Sequence, residues 1–232
     1  MKILFIVLFL AMIHLSAYPQ ETQFLIQRMK GCFAKEDSLK KVTKARDRSG
    51  KEYTDDICHC LEGSIVDDFT FTTLKGDSMP LSSFRNPVVI FLFARFCAPC
   101  MAEIPAINWL YRKYSGEIDF IGITPDSRKQ LESYSGKYEP GIILVPSPSE
   151  DFRQSWAFRI FSDGIKSLPI PTLYFIDKQK IITNILVGAF EEFHPAQYGI
   201  TDPGTKEITK AQADSTNISE IEIGIQLLLG KK

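Results

Sequence analysis

The chain is short of histidine, of net charge and of long apolar runs, and each shortage closes off a class of function. Only three histidines occur in 232 residues. His14 falls in the first apolar stretch, while His59 and His194 lie far apart in no ligand-like array, so no metal centre built on imidazole is expected. Lysine and arginine number 27 against 28 aspartates and glutamates, a formal net charge of −1. That balance gives no electrostatic case for nucleic acid or an acidic membrane surface, and neither is expected as a partner. No second long apolar run follows the N-terminal one, so no membrane span is expected in the body of the chain.

What is present begins with a leader. Residues 1–17 carry Lys2, then an apolar stretch from Ile3 to Leu15, then Ser16-Ala17 before Tyr18-Pro19, the pattern of a secretory signal peptide. An N-terminal anchor is the alternative, but the stretch is short for a span and no cysteine stands after the leader to accept lipid. The mature protein is therefore expected to be exported, to the periplasm, where its five cysteines can form disulfides. The 44% hydrophobic composition suffices for one packed domain with additions.

Residues 18–62 read as a polar N-terminal extension, with a charged run at 35–51 and a turn at Ser49-Gly50. It holds Cys32, Cys58 and Cys60, the last two flanking His59. A structural disulfide is expected between Cys32 and either Cys58 or Cys60, leaving one thiol over. A soft-metal site on these residues is the competing reading.

The centre of the chain is residues 88–105, VVIFLFARFCAPCMAEIP. Seven apolar residues, rich in β-branched and aromatic side chains, read as a buried central strand. Beyond Cys97-Ala98-Pro99-Cys100, the positions Met101, Ile104, Ile107, Leu110, Tyr111 and Tyr114 recur at helical spacing. Cys97 thus stands where a strand meets a helix N-terminus, whose free amides and partial positive charge favour a thiolate. Cys97 is the expected nucleophile. Cys100, three residues on and on the same face, is the expected resolving thiol. Pro99 is tolerated because first-turn amides lack intrahelical partners.

Around this centre, residues 67–81 read as a hairpin turning at Lys75-Gly76-Asp77. Residues 118–123 are a second buried strand, Thr124-Pro125-Asp126 opens a polar helix to about Tyr134, 142–145 is a third strand and 151–161 a further helix. After Leu168-Pro169-Ile170-Pro171-Thr172 come strands at 173–176 and 181–187. The polar stretch 190–216 reads as a surface insertion, and Asn217 with Glu220 as a cap for a last helix with an apolar stripe. Residues 63–232 are thus expected as one domain.

Taken together, FARFCAPCMAEIP, IDFIGI and LPIPTLYFID resemble the thioredoxin superfamily, and within it the exported TlpA/ResA-like branch. The resemblance implies an α/β thioredoxin-like fold, a central mixed sheet flanked by helices, and dithiol-disulfide exchange on protein thiols and disulfides with no bound cofactor. It implies Cys97 as attacking and Cys100 as resolving thiol, and Pro171 as a cis proline beside Cys97, with Ile170, Phe96, Ala98 and Pro99 at the substrate groove. Glu103 would tune the thiols and relay a proton; its bland reading is a solvated glutamate in an early helical turn. A reducing direction fed by a membrane electron donor, and a monomer, are expected. Two departures stand out: Phe96 replaces the usual tryptophan before the first cysteine, and Phe91 stands where thioredoxin has a buried aspartate. A thiol peroxidase would want threonine or serine where Ala94 stands, and a copper-binding or assembly protein would want a nearby histidine.

Overall fold

The computed structural model describes residues 24–43, 50–149, 155, 160–162, 166–198, 202 and 204–231. The expected leader at 1–17 lies outside the described residues, as does most of the helix expected at 151–161. Two helices come first, α1 (Leu25–Thr43) and α2 (Gly50–Leu61), then a small antiparallel pair, β1 (Thr70–Thr72) and β2 (Ser78–Pro80). Gly76 makes the turn between them at φ +100°, a region that glycine enters without steric cost.

The rest is built on a five-stranded sheet. Its strands are β3 (Val88–Leu92), β4 (Asp119–Ser127), β5 (Ile143–Ser147), β6 (Thr172–Ile176) and β7 (Ile182–Val187), in the order β5-β4-β3-β6-β7. Strands β3, β4 and β5 run parallel, while β6 and β7 are antiparallel additions. The helix α3 (Ala98–Tyr114) joins β3 to β4, as a crossover between parallel neighbours must. A mixed sheet flanked by helices is thus the architecture.

Every residue of β3 is buried, because the strand is covered on both faces. Val89, Phe91 and Phe93 pack with Ile104, Ile107 and Leu110 of α3 and with Ile221 and Ile225 of the last helix, α5 (Lys210–Leu228). Val88, Ile90 and Leu92 pack with Leu25, Met29 and Phe33 of α1, Ile57 and Leu61 of α2, and Phe71 of β1. Period-two alternation sends neighbouring side chains to opposite faces, so one strand serves two cores. Phe91 needs room: a Cβ on Gly122, its partner in β4, would stand 2.5 Å from the Phe91 ring.

The structure departs from the sequence expectation in two places. Strand β4 does not stop at Ile123 but runs on through Thr124-Pro125-Asp126 to Ser127, with a register shift against β5. The short helix α4 (Arg128–Glu132) opens only there, with Ser127 and Gln130 as its capping box. Thr124 and Asp126 stay in the strand because both are buried and bonded to one another. The last helix starts at Lys210, capped by Thr209 and Gln212, so part of the 190–216 stretch is helical. Asn217 caps nothing; it is buried within α5, and its side chain bonds both the amide and the carbonyl of Phe190.

Candidate active site

Strand β3 hands the chain to α3 through five residues. Phe93 and Ala94 remain buried, Arg95 and Phe96 emerge, and Cys97 turns back as the N-cap of α3. Extended backbone at Cys97 (φ −95°, ψ 102°) leaves its sulfur 3.2 Å from the Cys100 amide, which donates to it. This is one of the amides that has no partner inside the helix, and Pro99 costs nothing beside it for the same reason. Cys97 and Cys100 form a disulfide with a Cα–Cα distance of 5.2 Å. The two cysteines are not equally exposed: Cys97 is 8% exposed, Cys100 2%, and the neighbouring Phe96 72%. Phe96 thus offers an aromatic face to water, one residue before the more exposed cysteine.

The second wall comes from the segment before β6. The Ile170–Pro171 bond is cis, and the carbonyl oxygen of Ile170 lies 3.8 Å from the Cys97 sulfur. Thr172 donates its hydroxyl to the Pro169 carbonyl, while the Pro171 carbonyl accepts from the Gly188 amide at 2.8 Å. The loop is therefore tied both to itself and to the end of β7. Ala98 is exposed and Pro99 half-buried at the start of α3. Cys97, Cys100, Phe96, Ala98, Pro99, Ile170 and Pro171 are brought to one place from two distant stretches of sequence.

Glu103 is not a solvated side chain. It is 3% exposed, on the buried face of α3 with Cys100 and Ile104, and desolvation pushes its carboxyl up to about 8. Burial penalises the charged form, so the group can hold a proton near neutrality and exchange it there. Tyr138, also buried, feels the charge of Glu103 and is itself raised, chiefly by desolvation.

One participant had no sequence signal beyond a turn-like Thr-Pro-Asp. Asp126 is buried at the end of β4, and one of its oxygens accepts from the Arg95 amide at 2.8 Å, the Tyr134 hydroxyl at 2.5 Å and the Thr124 hydroxyl at 3.1 Å. Charge-assisted acceptance of three donors anchors the backbone two residues before Cys97. Between α1 and α2, Cys32 pairs with Cys60 at a Cα–Cα distance of 5.9 Å, and Cys58 is the free, buried thiol. Its burial, with Asp55 and Glu62 adding repulsion, pushes it up to about 12. Among the described residues, no group of three or more His, Cys, Asp or Glu could hold a metal ion. No described helix is long and apolar enough to cross a membrane.

The chain is similar to known proteins. The AhpC/TSA family matches residues 63–185, more than half of the chain. Thioredoxin-like protein YneN of Bacillus subtilis is 25% identical over 135 residues, 55% of this chain and 72% of its own length. Thiol-disulfide oxidoreductase ResA of Geobacillus kaustophilus is 28% identical over 129 residues, 54% of this chain and 69% of its own. Among solved structures, a thio-disulfide isomerase from Thermus thermophilus aligns with a TM-score of 0.46 at 22% identity, covering 56% of this chain and 88% of that one.

Proposed function

The chain belongs to the AhpC/TSA family, as a ResA/TlpA-like member of the thioredoxin superfamily, and from that premise we propose that it is an exported thiol-disulfide oxidoreductase acting on proteins in the reducing direction. One observation carries the reading: a Cys97–Cys100 disulfide at a helix N-terminus, with the sulfur of Cys97, the more exposed cysteine, 3.8 Å from the Ile170 carbonyl.

In the dithiol form, the Cys97 thiolate attacks one sulfur of a substrate disulfide. A mixed disulfide forms, and the other substrate sulfur leaves as a thiolate that takes a proton. Cys100, its proton passed to Glu103 in the carboxylate form that grows in as pH approaches 8, then attacks the Cys97 sulfur and releases the second substrate thiol. Two electrons pass to the substrate and the Cys97–Cys100 disulfide remains. A membrane-bound dithiol donor restores the reduced pair. The substrate chain lies extended against Ile170 beside Pro171, with Phe96, Ala98 and Pro99 forming the facing rim. The protein works as a monomer, and the Cys32–Cys60 disulfide staples the N-terminal extension.

Trapping tests the reading. Cys97→Ser abolishes exchange, whereas Cys100→Ser still makes the first attack and accumulates mixed disulfides, visible as reductant-sensitive adducts by mass spectrometry. Equal trapping by both variants, or by neither, would defeat the assigned order. Turnover of hydrogen peroxide at a rate above that of protein disulfides would favour a peroxidase instead.

A further inference from the structure

The edge strand β7 has a wall that the exchange chemistry does not use. Its inner neighbour is β6 and no strand lies beyond it among the described residues. The first part of the edge is occupied, since Gly63 donates to the Ile182 carbonyl and Ile182 to the Ser64 carbonyl. From Asn184 onward it borders a groove of about 950 Å³, between β7 and the outer side of α2. The Ile185 amide there donates to the side-chain oxygen of its own neighbour Asn184, at 2.9 Å, instead of to a strand. An edge with outward backbone groups is a template for an extended chain.

The groove is also charged, shaped and correctly placed. Asp55 from α2, Glu62 in the turn just after it and Glu220 from α5 line it, against Lys51 and His59, the latter 3.7 Å from the Glu62 carboxylate. Phe190 stands 40% exposed at its margin, with its backbone clamped by both polar atoms of the buried Asn217 side chain. Its lining includes Pro169 and Gly188. Pro169 adjoins Ile170, whose carbonyl faces Cys97, and Gly188 bonds the Pro171 carbonyl. The segment 169–171 thus borders both the Cys97 sulfur and this groove, within a few residues' reach of an extended chain at about 3.3 Å per residue.

We infer that this groove seats the flank of the protein substrate, an extended basic segment lying along the β7 edge a few residues from the cysteine that Cys97 attacks. The inference rests on the exchange reading and adds to it a substrate class. The carboxylates steer and hold lysine or arginine, Phe190 covers their aliphatic stems, and the outward amides of β7 pair with the backbone. The helix α2 belongs to the N-terminal extension, which thereby gains a role in choosing substrates.

The test uses the purified, pre-reduced protein and three synthetic peptides with the same disulfide core, flanked on one side by lysines, by glycine and serine, or by glutamates. Hydroxyethyl disulfide is the reference substrate. At low salt the lysine-flanked peptide should react about tenfold faster than the glutamate-flanked one, and the preference should fade at high salt. In Glu62→Lys/Glu220→Lys, and separately in Asp55→Lys, the lysine-to-glutamate rate ratio should fall to unity or invert, each rate being normalised to hydroxyethyl disulfide. Equal peptide rates in the unmutated protein, or an unaltered ratio in both variants, would overturn the inference while leaving exchange intact. A change of oligomeric state with the reversal would assign the groove to a second copy and equally overturn it. Failure to reduce hydroxyethyl disulfide at all would overturn the exchange reading, and the inference with it.

Discussion

The buried carboxylate of Asp126 accepts the backbone amide of Arg95 at 2.8 Å, across 31 residues of chain. It ties the end of β4 to the approach to Cys97, and the Thr124 and Tyr134 hydroxyls converge on the same oxygen. Asp126→Ala would leave three donors without their acceptor, at a cost on the order of 2–4 kcal/mol. It should also slow exchange, because the loop bearing Phe96 and Cys97 loses its anchor. Asp126→Asn retains one acceptor oxygen and should cost less on both counts. Urea unfolding and peptide-disulfide kinetics on the two variants check this; an alanine variant as stable as the parent would remove the anchoring role.

Glu103 should make stability depend on pH. Its carboxyl is raised from 4.5 to about 8 by burial, so between those values the unfolded chain has released the proton while the folded one keeps it. Stability therefore falls as pH rises from about 4.5 to about 8, and levels off above, where the folded protein carries a buried charge. Glu103→Gln should flatten that slope and gain stability over the parent at pH 9, on the order of a few kcal/mol. Its exchange rate should lose any inflection near pH 8. Parallel urea-midpoint profiles for the two proteins would sink the assignment.

Gly122 should not tolerate a side chain. A Cβ there would lie 2.5 and 2.6 Å from Phe91 ring atoms and 2.9 Å from Phe93, inside a sheet with no slack. Gly122→Ala is expected to cost about 1–3 kcal/mol by overpacking. Combining it with Phe91→Leu should recover part of that loss, a coupling that a double-mutant cycle of thermal or urea stability measures. Strictly additive losses would show that the two residues do not meet.

Cys58 should be silent in the native protein. With its thiol pushed up to about 12 by burial and two nearby carboxylates, the thiolate fraction at pH 8 is on the order of one in ten thousand. In the oxidised protein, maleimide should label nothing until denaturant is added, and then Cys58 alone. Labelling of Cys60 in the folded state would overturn the Cys32–Cys60 pairing.

The local features were legible in the sequence because they repeat along the chain. An apolar run followed by helical periodicity is enough to place Cys97 at a strand-helix junction, since period 2 and period 3.6 are properties of neighbouring residues. The same holds for Gly76 in its turn. Where a side chain must find a partner far away, periodicity is silent. Thr124-Pro125-Asp126 looked like a helix start because these residue types favour caps and turns; a bond to Arg95 and burial against Tyr134 kept it in the strand instead. Asn217 looked like a cap for the same reason, until Phe190 supplied its partners.

Short-range backbone preference sets the order of the sheet strands and places a dithiol at the N-terminus of the helix between β3 and β4, so both can be read along the chain. Three further matters were set by packing between distant parts of the chain. Glu103 lies on the buried side of α3, a question of helix rotation against the sheet. Cys60 and not Cys58 meets Cys32, because residues two apart on a helix face different ways and the packing of α2 on α1 selects one. Ile170 reaches Cys97 because β6 pairs antiparallel with β3, aligning Leu92 with Thr172; that register depends on the burial of whole faces, which no short stretch of chain encodes.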